Sequence, residues 1–125
     1  MNVSIDGLSN EIARMMTEYT DKVTEGVAKA VDDTAKKVLE ATKAAAPVKT
    51  GRYKKGWTIT KRGDYKDPKR IIWNKDRYSL VHLLEFGHAK VNGGRVSGKP
   101  HVRPAYEAHG AQLPEHIARI IENGG

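Results

Sequence analysis

Residues 93–99, Gly93-Gly94-Arg95-Val96-Ser97-Gly98-Lys99, reproduce the first seven positions of a phosphate-binding loop, G-x-x-x-x-G-K. That chemistry also needs a Ser or Thr next in line to ligate magnesium, and a following helix whose N–H groups face the phosphate. Pro100 offers neither hydroxyl nor N–H, and Pro104 follows closely. A basic glycine-rich loop is the better reading. Five histidines (His82, His88, His101, His109, His116) raise metal binding, above all His82, Glu85 and His88. Zinc hydrolases place two histidines four apart on one helical face, whereas His82 and His88 stand six apart with the helix-ending Gly87 between them. These histidines are expected on the surface or at partner contacts. Without cysteine there is no thiolate nucleophile, zinc thiolate or disulfide, and no Ser-His-Asp nucleophile turn is present. The sequence therefore predicts no catalytic residue, no cofactor, no metal site and no enzyme. Glu85 is the exception worth following: a carboxylate just before Phe86-Gly87 is expected to pair with a basic residue such as Arg103 or to cap local backbone.

At 125 residues the chain fits one domain, 1–125, with a thin core: 38% of residues are hydrophobic and there is a single Phe. Nothing resembles a signal peptide or a membrane span, so the expected protein is soluble. Its formal charge of +7 is unevenly distributed. Residues 1–48 and 104–125 each carry a net −2, while residues 49–103 hold fifteen Lys/Arg against four Asp/Glu, a net +11. Such a segment attracts a polyanion or an acidic protein face, and is equally what a solvated basic surface looks like. Tyr53, Trp57, Tyr65, Trp73 and Tyr78 lie within it and could stack on bases. No recognised nucleic-acid motif accompanies them, and Trp57 and Trp73 fall in predicted strands, where core positions are expected.

Several elements must position these residues. Asn2 to Ile5 alternate as a short edge strand would, and Asp6-Gly7 reads as a turn. A helix is predicted from the N-cap Ser9 to Ala46, where Pro47 stops it; its stripe is Ile12, Met16, Tyr19, Val23, Val27, Ala30, Val31, Val38 and Ala45. About 37 residues would make a rod near 55 Å, longer than so small a domain, so either Gly26 breaks it or its first half reaches beyond the domain. Pro47 to Gly51 form a turn, Tyr53 to Lys61 and Arg70 to Asn74 two antiparallel strands joined around Asp67-Pro68, and Tyr78 to Phe86 a short helix capped by Gly87. Ala89 to Lys99 is a protruding hairpin or flexible arm, and Pro104 is expected at the first position of a closing helix, Ala105 to Glu122, interrupted at Gly110 and Pro114. The sum is an α+β unit, a long N-terminal and a C-terminal helix packed on a small antiparallel sheet.

Three stretches remain: Ala46-Pro47-Val48-Lys49-Thr50-Gly51-Arg52-Tyr53, Leu84-Glu85-Phe86-Gly87-His88, and Pro100-His101-Val102-Arg103-Pro104-Ala105-Tyr106. Their order and spacing resemble the tail-completion or head-tail joining (neck) family of siphophages and prophages, in which a P-x-x-T-G-x-L turn precedes an E-F-G-T box and a P-F-x-R-P-A box. This chain departs from that pattern at Tyr53 (usually Leu), His88 (usually Thr) and His101 (usually aromatic). The resemblance implies a non-enzymatic virion protein, assembled in the bacterial host cytoplasm into an oligomer, a ring, at the neck or the head-proximal end of the tail. It implies as partners further copies of the chain and connector, tail-terminator or tail-tube proteins, with passive contact to packaged DNA and no membrane. Thr50, Gly51, Glu85, Phe86, Gly87, Arg103, Pro104 and Ala105 would be architectural; Met16, Tyr19, Lys90, Arg95 and Lys99 would touch partners. The competing reading is a small sequence-independent nucleic-acid-binding module.

Overall fold

The computed structural model describes residues 5–48, 51–64 and 67–125, with the side chains of 5–9 left aside. Thr50, Tyr65 and the strand expected at Asn2–Ser4 lie outside the described residues. The architecture is α+β: a long N-terminal helix, two small antiparallel sheets, and C-terminal helices. No helix among the described residues is long and apolar enough to cross a membrane.

Helix α1 (Ile5–Ala45) is 41 residues without a break, a rod of about 61 Å. Three expectations fail on it. Ile5, Asp6 and Gly7 are helical rather than strand and turn, and Ser9 lies inside the helix instead of capping it. A period of two over four residues is too short to compete with the helical pattern that follows it. Gly26 does not break the rod either. A Cβ there would lie 3.0 Å from Ile120 Cγ2, so the glycine serves close approach of the C-terminal helix, and intact i→i−4 bonding outweighs its modest propensity cost.

The second half of α1 buries small residues, Ala30, Ala35, Val38 and Thr42, with Ala46 just beyond its end. Thr42, fully buried, returns its hydroxyl to the Val38 carbonyl at 2.8 Å, which satisfies it without a distant partner. Against this flat face lies a hairpin of β1 (Trp57–Gly63) and β2 (Pro68–Asn74), pairing from Trp57–Asn74 out to Gly63–Pro68. The Asp32 carboxylate accepts from Arg70 Nε at 2.7 Å and ties helix to sheet; that bond holds the Asp32 carboxyl below its ordinary range. Arg70, Ile72 and Asn74 turn inward along β2 while Lys69, Ile71 and Trp73 turn outward. Trp57 is core, as expected, but Trp73 is not: it is 40% exposed and donates its indole N–H to Thr60 Oγ1 at 2.7 Å. Strand alternation places it on the opposite face from Asn74.

Tyr53, expected in a strand, sits in α2 (Arg52–Lys55), a single turn started by Gly51 at φ 81°. After β2 a 3₁₀ turn (Tyr78–Leu80) leads into α3 (Val81–Phe86), then β3 (Gly87–Ala89) and β4 (Arg95–Ser97) form the second hairpin. Of the two readings for 89–99, the hairpin holds. The chain closes with α4 (Val102–His109) and α5 (Leu113–Asn123), separated at Gly110 as expected, whereas Pro114 sits in the first turn of α5 and interrupts nothing. Pro104 is the third residue of α4, not the first. Helix α5 runs back along α1, from Leu113 and Ile117 beside Val31, Thr34 and Val38 to Ile120 against Gly26 and Gly124 against the Tyr19 ring.

Candidate functional site

The three motifs close on one buried cluster at the C-terminal end of α1. It begins with a backbone problem. The N-terminus of α4 presents N–H groups with no partner inside the helix, and its N-cap residue, His101, uses no side chain to cap it. Glu85, from α3, takes them all: Oε2 accepts from the N–H of His101 (2.8 Å) and Val102 (3.1 Å), and Oε1 from that of Arg103 (2.9 Å). The next residue, Pro104, has no N–H to satisfy. A carboxylate at a helix N-terminus is also favoured by the helix dipole. In this chain the Glu-Phe-Gly box thus supplies the cap that the Arg-Pro-Ala box lacks. Of the two roles expected for Glu85, it fills the backbone cap; the Arg103 guanidinium instead pairs with Glu107 at 3.2 Å, both side chains exposed.

His101 is fully buried, against the expectation of a surface histidine. Its Nδ1 lies 2.7 Å from the Lys99 carbonyl and 2.9 Å from Glu85 Oε2. Two acceptors around one ring nitrogen require that nitrogen to carry hydrogen, and in the neutral ring Nε2 then accepts from the Tyr53 hydroxyl at 2.5 Å. The rings of Tyr53, Trp57 and His101 meet edge to face in every pairing, with centroids 5.5 to 5.9 Å apart. Asn74, also fully buried, donates to the Tyr53 carbonyl at 2.6 Å and accepts from the N–H of Asp76 and Arg77 at 3.2 and 2.8 Å. Two glycines let the β3–β4 hairpin close on α3. Gly87 has φ 80°, and a Cβ on Gly98 would fall 2.5 Å from the Glu85 carbonyl oxygen.

Burial alone would raise the Glu85 carboxyl, but its three backbone N–H donors outweigh that and hold it below the ordinary carboxylate range. Burial, with the Glu85 charge adding to it, pushes the Tyr53 phenol up to about 12. Tyr53, His101 and Glu85 thus form a hydrogen-bonded line shaped like a proton relay. Each side-chain polar atom in the line is nevertheless spent on another protein group, so the network fastens three segments together and offers no free group to a substrate. Among the described residues, no group of three or more His, Asp or Glu is arranged to hold a metal.

The remaining candidates are spread more widely. Ala105 is buried beside the cluster, and Pro104 is exposed. The Phe86 ring is exposed next to His82, with ring centroids 5.1 Å apart, while its carbonyl accepts from Arg95 Nη2 at 2.7 Å. Lys90 closes the hairpin tip through its backbone, and the Lys99 N–H donates to the Leu84 carbonyl at 2.8 Å. Met16 is exposed on the first half of α1; Tyr19, half-exposed, donates its hydroxyl to the Ile121 carbonyl. These two do not join the buried cluster. Sequence reasoning missed the cluster's centre, although a signal existed. Two of the three departures from the pattern the motifs resemble, Tyr53 and His101, are each other's hydrogen-bond partner. It also missed an open apolar groove of about 660 Å³ lined by Tyr78, Val81, His82, Phe86, Val102 and Tyr106.

Comparison with known proteins agrees with the resemblance to a phage tail family. The model of a family described as "Bacteriophage HK97-gp10, putative tail-component" matches residues 10–87, from the exposed half of α1 through Gly87 and short of the His101 box. No curated protein and no solved structure matches the chain.

Proposed function

From the premise that the chain belongs to the HK97-gp10-like family of bacteriophage tail components, we propose that it is a head-tail joining or tail-completion part, working as an oligomer, a ring. The family match carries this reading. A phage tail component is a structural protein of the virion and meets other virion proteins; the finer assignment is to connector, tail-terminator or tail-tube neighbours and to further copies of itself. The whole chain acts as one domain. Within it, Gly51, Glu85, Gly87, Arg103, Pro104 and Ala105 are architectural, as the backbone cap, the positive φ of Gly51 and Gly87 and the close approach at Gly87 support, and Thr50 and Phe86 are assigned with them from the motif. Met16, Tyr19, Lys90, Arg95 and Lys99 are the partner contacts. The mechanism is assembly, and the purified protein should show no ATPase, nuclease or peptidase turnover with magnesium or zinc.

The test is a deletion of the gene in its phage or prophage, complemented in trans. Without the protein, electron microscopy should find full heads and tails that fail to join, or tails of wrong length, and complementation should restore joined particles containing the chain. Normal infectious particles in its absence overturn the reading. One observation favours the rival, a sequence-independent nucleic-acid module: the outward face of β1–β2 sets exposed Trp73 and Ile71 in line with the cross-strand pair Arg62–Lys69. Under the assembly reading, duplex-DNA binding by this basic segment is weak and gone by about 0.15 M salt; sub-micromolar binding there puts the rival first.

A further inference from the structure

We propose that the first half of α1 from one copy lies in the Tyr78–Phe86–Tyr106 groove of the next copy, joining subunits head to tail. This rests on the oligomeric reading above and assigns its two surfaces. The ridge is Ile12, Met15, Met16 and Tyr19, spaced i, i+3, i+4, i+7, the pattern by which an amphipathic helix enters a groove. All four are exposed, Met16 to 65%. The C-terminal end of α5 reaches only the base of this ridge: α5 ends at Asn123, Gly124 rests on the Tyr19 ring with Met15 alongside, and Gly125 rests on Lys22. The hydroxyl of Tyr19 on the Ile121 carbonyl fixes the direction in which the arm leaves the body.

The receiving groove exposes Tyr78 (71%), Phe86 (54%) and Tyr106 (55%), with Val81 and Val102 as its floor. Val81 and Val102 also pack on the Ala46, Tyr53 and Trp57 core, which places the groove at the C-terminal end of α1. Met16 and Ala46 are separated by about 45 Å of unbroken helix, so a chain cannot fill its own groove. Charge selects the pairing. Over residues 10–25 the arm carries Glu11, Glu18, Asp21 and Glu25 against Arg14 and Lys22. Residues 77–107, which build the groove and its flank, carry Arg77, Lys90, Arg95, Lys99 and Arg103 against Glu85 and Glu107; Glu107 pairs with Arg103, and Glu85 is buried in its backbone cap. Two arms repel and two grooves repel; arm and groove attract. Each copy owns one of each, so the contact is heterologous and propagates until it closes on itself.

The chain has no cysteine, so introduced thiols report alone. Full-length Met16→Cys and Phe86→Cys chains, mixed and treated with a short bis-maleimide, should yield a cross-linked pair absent from either chain by itself. Adding Ile12→Glu to the first chain should abolish it. In light scattering, Met16→Glu and Phe86→Glu, each folded by circular dichroism, should be monomeric alone and form a 1:1 pair when mixed, since one intact arm then meets one intact groove. Cross-linking of Met16→Cys to itself, or of Phe86→Cys to itself, overturns the proposal in favour of a symmetric contact. Capture of a different tail protein by Phe86→Cys in complemented particles also overturns it. Absence of cross-links while the unmodified chain self-associates shows that these surfaces are wrong and leaves the oligomer standing. Absence of cross-links from a chain that stays monomeric, in solution and in particles, removes both.

Discussion

The two ends of α1 handle exposed chemistry in opposite ways. At the C-terminal end, polar groups that burial would penalise are paired with one another: Glu85 with three N–H groups, His101 with Lys99 and Tyr53, Asn74 with the Tyr53 carbonyl. At the N-terminal end, apolar groups that water penalises are left uncovered: Ile12, Met15 and Met16. The first end is closed within one chain save for the buried indole N–H of Trp57, which has no partner among the described residues, and the second is left open to solvent. On the assembly proposed above, residues that decide whether the protein folds are separable from residues that decide what it meets, even though one helix carries both.

The largest expected effect tests that separation directly. Glu85→Ala strands three N–H groups at the start of α4 and should cost about 3–5 kcal/mol in urea denaturation, while Met16→Glu should change stability by no more than about 0.5 kcal/mol yet abolish assembly. A loss under about 1 kcal/mol for Glu85→Ala, or above it for Met16→Glu, breaks the comparison. Next comes pH. The folded Glu85 carboxyl titrates below its ordinary 4.5, so the folded chain binds fewer protons than the unfolded one and stability should fall as pH drops from there through the folded-state value. Tyr53 is displaced from 10.0 to about 12, so the unfolded chain loses its proton first and stability should fall again as pH rises across that interval. Glu85→Gln should flatten the acid limb of melting temperature against pH, Tyr53→Phe the alkaline limb, and Met16→Glu neither. Near neutrality Tyr53→Phe should cost about 1–2 kcal/mol by depriving His101 Nε2 of its donor, read by the same denaturation. The smallest effect belongs between the two ends: Gly26→Ala should be near neutral, since a gain of about 1 kcal/mol in helix propensity is offset by crowding against Ile120. Gly26→Leu should destabilise by displacing α5, and a stabilised Leu variant would show that the close approach is not needed.

Much of this was legible in the sequence where the pattern was local. The weak alternation around Trp57 and Ile59, the run Ile71-Ile72-Trp73 and Asp67-Pro68 between them marked the first hairpin, and a carboxylate ahead of Phe-Gly offered a backbone cap as one of two roles. Positions that depend on a distant neighbour were not legible. Gly26 looked like a helix breaker because nothing near it in sequence announces Ile120. Pro104 looked like a first helical residue because its cap is supplied by Glu85 from another element. His101 looked like a surface histidine because its acceptors, the Lys99 carbonyl and Glu85, surround it only once the chain has folded. Trp73 was misplaced for a local reason: an aromatic residue in a strand suggests core, but inward Asn74 sets the phase of that strand.

The unbroken first helix also acts as a lever. Over the roughly 45 Å between Thr42 and Ile12, a tilt of about five degrees at the seated end sweeps the free end through about 4 Å, the width of a side chain. Accuracy at the tip is thus set by how tightly Ala35, Val38 and Thr42 bed against the sheet, and a small loosening far inside the body is magnified at the point of contact. Substitutions buried among those residues should register as misaligned joints well before they register as unfolded protein.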